Sequence, residues 1–257
     1  MLTDATVVLE HLHCIREKDG TPHSEPYIWP ALLWVAASTE VGVAAPASNQ
    51  ARRVIKPDMR PGESADIVSS VGILTAHVEE GFRAIILVVA LWEKDETKMD
   101  AVTAGFKAFS SELRAAVASR LLALNSPDEE VREQAIKEIR KQVDNKVRSA
   151  IEGEIILPRD FDDVIGINFM ALRALPDSSA SIPISLGFGE EAGGRLLLFH
   201  DTSQSVGVPL AEPKLIGFSG WADFKFLFAG ANQTIYAVDE LRQGPERYEI
   251  EGHLEVQ

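Results

Sequence analysis

A chain of 257 residues, 46% hydrophobic and 25% charged, can bury a full core and has globular rather than disordered composition. Its formal net charge of −14 excludes nonspecific nucleic-acid binding, which needs basic surface to displace counterions. The same charge excludes simple electrostatic adhesion to anionic lipid, and the single cysteine, Cys14, excludes an intrachain disulfide.

Met1-Leu2-Thr3-Asp4 lacks the basic and apolar regions of a signal peptide. The longest apolar run, Ala84 to Trp92, is too short to span a bilayer as a helix. A cytoplasmic location is therefore the default expectation, with non-classical release as the other route.

From the N-terminus, Thr6 to Ile15 alternates with strand period. Val7, Leu9 and then Leu12, Cys14 are the inward positions, and the polar face carries His11 and His13. Two histidines at i and i+2 on a strand point the same way, which suits a metal pair or an exposed strand face. Arg16 to Tyr27 holds Asp19-Gly20 and two prolines and reads as a loop. Ile28 to Val35 follows as a strand, with Pro30 marking an edge or bulge. Gly42 to Gly62, rich in Ala, Pro and Ser, reads as a surface excursion. Ile67 to Val78 reads as one strand, and Ala84 to Trp92 as a strand buried on both faces.

A helical pattern then interrupts the strands. Asp100 is the expected N-cap. Val102, Phe106, Phe109, Leu113, Val117, Leu121 and Leu124 recur at helical spacing. Ser126-Pro127-Asp128-Glu129 starts a second helix with a capping serine and a first-turn proline. Its stripe is Val131, Ala135, Ile136, Ile139, Val143, Val147 and Ile151, and Gly153 is its expected C-cap. Each helix would be roughly 35 Å long at the standard rise, and the short Asn125-Ser126 link makes them antiparallel. Strand pattern resumes at Ile165 to Leu175. Ile184 to Phe188, Arg195 to Phe199 and Tyr248 to Val256 read as further strands.

Two loops together resemble a C2 domain. Asp19-Gly20 with Ser24-Glu25-Pro26-Tyr27 is similar to the Asp-Gly turn and Ser-Asp-Pro-Tyr that open a C2 strand. Glu93-Lys94-Asp95, ending an apolar strand, and Asp162-Asp163-Val164-Ile165-Gly166, opening the next, are similar to the later Asp-x-Asp and Asp-Asp-x-Ile-Gly. The resemblance covers about residues 6 to 175 without the helical detour. It implies an antiparallel β-sandwich with calcium ligands at Asp19, Glu25, Glu93, Asp95 and Asp163, and with Asp160 and Asp162 as further candidates. A hard cation taking six to eight oxygens suits such a set. Glu stands where C2 domains carry Asp at positions 25 and 93, and roughly sixty residues lengthen a loop that is short in the family. The implied ligand is phospholipid, with calcium bridging the acids and lipid phosphates.

A shorter segment, Ile216 to Lys225 with Phe228-Ala229-Gly230 and Thr234 to Val238, resembles one repeat of a tachylectin-type sugar-binding propeller. One blade cannot close a propeller. The resemblance implies Trp221 stacking on a sugar that Asn232 and Thr234 would contact. A local strand-turn-strand is the plainer reading.

No phosphate loop, zinc motif or nucleophile elbow is present, and a non-enzymatic protein is expected. The expected fold is mainly β with an α insertion: a C2-like antiparallel sandwich from 1–95 and 158–257, and a helical hairpin from 96–157. The expected function is a binding module, calcium-dependent by resemblance, that contacts phospholipid or carbohydrate through its acidic loop end. The alternative is a structural protein that self-associates through the hairpin stripes. The charges along the second helix, Glu133, Lys137, Glu138 and Arg140, oppose a bilayer-spanning hairpin.

Overall fold

The computed structural model describes residues 3–16, 24–36, 38–78, 84–95, 97–124, 129–153, 162–174, 195–201, 214–217, 220–229 and 247–256. Within them the chain is mainly β, with two antiparallel sheets and a few helices. The strands are β1 (Thr3–Arg16), β2 (Pro26–Val35), β3 (Val41–Ala44), β4 (Ser64–Asp66), β5 (Ile73–Val78), β6 (Ala84–Glu93), β7 (Asp163–Ala174), β8 (Arg195–Asp201), β9 (Lys214–Gly217), β10 (Gly220–Ala229) and β11 (Arg247–Val256). The helices are α1 (Ser69–Gly72), α2 (Met99–Ser119), α3 (Leu121–Leu124) and α4 (Glu129–Gly153).

One sheet runs β10-β11-β1-β4, with β5 also paired to β1, and the other runs β3-β2-β6-β7-β8-β9. β2 and β6 show why three layers form. Both are apolar at consecutive positions, as a strand covered on both sides must be. Ile28 and Leu32 of β2 join Ile85, Leu87, Val89 and Leu91 of β6 in a core shared with β1, β5, β10 and β11. The alternate residues, Tyr27, Trp29 and Leu33 of β2 with Val88, Ala90 and Trp92 of β6, pack in a second core with α2 and α4. The six-stranded sheet is thus the middle layer. Pro30 lies before β3 begins its pairing at Leu32, where β2 has no ladder partner on that side.

The predicted inward residues of β1 are all buried. Their phase changes between Leu9 and Leu12 because the register with β11 shifts between Leu9 and His11, so Glu10 is a bulge. The predicted strand from Ile67 to Val78 is broken: α1 occupies Ser69–Gly72 and only Ile73–Val78 pairs with β1. The excursion from Gly42 to Gly62 is more than surface. It contains most of β3, and Ala51 and Met59 within it are buried.

α2 and α4 pack on each other and on the middle sheet. Of the first stripe, Val102, Phe106, Phe109, Leu113 and Val117 are buried, while Leu121 and Leu124 are half-buried. Of the second, Ala135, Ile139, Val143, Val147 and Ile151 are buried and Val131 is exposed. Phe106 and Phe109 stand 5.7 and 5.8 Å from the Trp29 ring. Asp100 does not cap α2: Lys98 is the N-cap position and makes no side-chain cap bond. Asp100 instead lies in the first turn, where a negative charge still meets the positive end of the helix dipole. α2 stops at Ser119, and α3 forms a separate turn where one continuous helix to Leu124 is expected. The Ser126-Pro127 start lies outside the described residues. None of the described helices is long and apolar enough to cross a membrane.

Candidate functional site

The ends of β2, β6 and β7 bring the two motif loops together. In the ladders Pro26 pairs with Glu93, and Glu93 pairs with Asp163. Glu25 precedes β2, Asp95 follows β6, and Asp162 precedes β7, so all five acids lie at one end of the middle sheet. The helical detour leaves the sheet at this end after Glu93 and returns to it before Asp163.

Asp162 is the hub. Its side chain is 1% exposed. Oδ2 accepts the Tyr27 hydroxyl at 2.8 Å. Oδ1 accepts the Asp95 backbone N–H at 2.8 Å and a guanidinium N–H of Arg52. The Asp162 backbone N–H donates to Thr97 Oγ1 at 2.7 Å. Arg52 also donates to the carbonyl oxygens of Thr97 and Asp95. A single guanidinium therefore sits among one carboxylate and two carbonyls, the oxygen types that a hard cation takes. Burial against Trp29 and Trp92, then the Asp162 charge, push the Tyr27 hydroxyl far above its usual value near 10. Tyr27 is thus a fixed donor.

Arg52 comes from the predicted surface excursion, and sequence reasoning missed it. Trp29 Nε1 donates to the Ala51 carbonyl at 2.6 Å, which pins the neighbouring residue and aims Arg52 inward. The only sequence signal was a basic pair, Arg52-Arg53, in an otherwise small and polar stretch. Two donors here, Arg52 Nε and Trp92 Nε1, are buried without a hydrogen-bond acceptor among the described residues. Polar groups of this kind retain capacity for an oxygen ligand.

The predicted ligands divide as follows. Glu25 Oε2 takes Lys94 Nζ at 2.5 Å, with both side chains about one-third exposed. Glu93 is half-buried at the end of β6, and Asp95 is exposed. Asp163 opens β7 opposite Glu93. Asp19 and Asp160 lie outside the described residues. Among the described residues no group of three or more His, Cys, Asp or Glu side chains converges as a metal cage.

Of the second predicted site only Trp221 is among the described residues. Trp221 stands in β10 opposite Glu255 of β11, while Asn232 and Thr234 lie outside the described residues. The later part of that segment, Gly230 to Val238, also lies outside the described residues. β9 edges the six-stranded sheet and β10 the five-stranded one.

No protein family, curated protein or solved structure matches this chain.

Proposed function

We propose that this protein is a non-enzymatic binding module: a C2-like β-sandwich whose acidic loop end contacts phospholipid through a calcium bridge. The observation that carries this reading is the shared address of the two motif loops. Glu25, Glu93, Asp95 and Asp163 come from separate segments and meet at one end of β2, β6 and β7. Asp162 and Arg52 lie beneath them as a charge-balanced floor. Calcium would be held by the outer acids, with lipid phosphate completing its oxygen shell. For Glu25 to take part, Lys94 has to turn away, and the two long side chains are exposed enough to do so.

The test is sedimentation of the protein with vesicles of phosphatidylcholine and phosphatidylserine, in calcium or in chelator. The protein should pellet with the vesicles in calcium only. Asp95→Asn and Asp163→Asn should abolish the effect. Equal recovery in both buffers would refute the bridge. Carbohydrate contact through the Trp221 segment is the variant, tested by glycan-array binding in chelator.

A second reading has one observation of its own. Leu122, at the tip of the helical hairpin, is 91% exposed. It lies between Arg120 and Ala123 in sequence, and these two line a groove of about 500 Å³ with Val131 and Ala135. Self-association would use this tip. The stripe residues Phe106, Phe109, Leu113, Ile139 and Val143 are already covered within the chain. An oligomeric elution that becomes monomeric in Leu122→Lys would favour this reading.

A further inference from the structure

The outer face of the five-stranded sheet carries four of the chain's six histidines: His11, His13, His77 and His253. Of these, His11 and His13 are the pair two residues apart on one strand. The bulge at Glu10 brings them to this face, because without it the inward phase of Val7 and Leu9 would run on to His11 and His13. His11 is about half exposed and His13 half-buried.

Both rings are held by the same nitrogen and from the same neighbouring strand. His11 Nδ1 is 2.9 Å from Asp66 Oδ1, and His13 Nδ1 is 2.9 Å from Ser64 Oγ. A carboxylate only accepts, so Nδ1 of His11 carries the proton. In the neutral ring Nε2 then holds the lone pair. A carboxylate behind one ring nitrogen, with the other nitrogen free, is how proteins orient a metal-binding histidine and raise its basicity. On the other side of β1, Glu251 stands opposite His11 and Glu249 opposite His13.

We propose that His11 and His13 form a surface site for a borderline divalent cation such as zinc, nickel or copper. Their Nε2 atoms are the ligands, Asp66 and Ser64 orient the rings, and Glu249 and Glu251 offset the added charge. Imidazole suits these metals, whereas calcium takes oxygen ligands. The site is therefore separate in position and chemistry from the acidic loop end. Two protein ligands are supplied and water completes the shell, which agrees with the absence of a cage of three or more side chains among the described residues.

The test is calorimetric titration of untagged full-length protein with zinc ion alone. One zinc per chain is expected. His11→Asn and His13→Asn should each weaken binding at least tenfold. Asp66→Asn leaves both ligands in place and should weaken it about tenfold. Excess calcium should not compete. Unchanged affinity in the His11→Asn/His13→Asn double variant, or no zinc uptake by the wild type, would overturn the proposal. Electron paramagnetic resonance of the copper-loaded wild type gives a readout free of any folding defect in the variants. Coupling to two imidazole nitrogens is expected, and coupling to one or none overturns the site.

Discussion

Arg52 and Asp162 form a buried ion pair across 110 positions of sequence. Through the carbonyls of Asp95 and Thr97 the same guanidinium also holds the segment that leads into α2. The pair thus ties together the two ends of the helical detour. Neither charge can be screened by water, with side-chain exposures of 11% and 1%. Removing one partner strands the other, which costs about 3–5 kcal/mol. Arg52→Met should lose that much in urea unfolding. The Arg52→Met/Asp162→Asn double variant should recover much of the loss, since neutral groups need no counter-charge. Additive losses would contradict the coupling.

The Tyr27 hydroxyl gives a pH signature. Its folded pKa is raised, so the fold favours the protonated phenol. Below pH 10 both states hold the proton and the contribution is complete. Above pH 10 the unfolded chain releases it and the native state does not, so stability falls as pH rises. Tyr27→Phe should flatten this alkaline decline in denaturation midpoints between pH 9 and 11. It should also cost about 1.5–3 kcal/mol at neutral pH for the lost bond to a charged acceptor. An unchanged alkaline slope would contradict the assignment.

Lys94 tests whether Glu25 is available to a metal. The Lys94–Glu25 pair is partly exposed and is worth at most about 1 kcal/mol. Lys94→Met should therefore melt near the wild type in chelator. In calcium its rise should exceed that of the wild type, because Glu25 no longer has a competing cation.

Gly105 lets α2 approach both α4 and the sheet. A Cβ there would lie 2.8 Å from Ile151 Cγ1 and 3.1 Å from Trp29 Cη2. Alanine gains about 1 kcal/mol of helix propensity. Overpacking at a closed three-way contact costs about 1–3 kcal/mol. The net expectation for Gly105→Ala is a lower melting temperature with a perturbed Trp29 fluorescence spectrum. A higher melting temperature would mean that Ile151 yields freely.

The sequence was most legible where one periodicity governs a whole element. Val7 to Cys14 shows its inward face even across a bulge. Phe106, Phe109 and Leu113 lie on the buried side of α2 as their spacing requires. Ser69-Ser70 and Gly72 weaken the Ile67 to Val78 run as a single strand, and α1 interrupts it there before Ile73. The sequence was less legible where tertiary contacts override local pattern. The acids of the loop end were visible as residue types, but their partners were not. Arg52 reaches Asp162 only because Ala51 is held against Trp29, a contact made between distant parts of the chain. Charge counting cannot separate Asp162, which is locked to Arg52, from Asp95, whose side chain faces solvent.

The most direct measurement of the central claim is the thermal melting of purified protein in excess calcium against chelator, with Asp95→Asn/Asp163→Asn measured beside it. A cation that binds only the native state must raise its melting temperature. A rise of several degrees is expected in the wild type and none in the double variant. Superimposable wild-type curves would contradict it, and would leave Asp162 and Glu25 with Arg52 and Lys94 as their counter-charges.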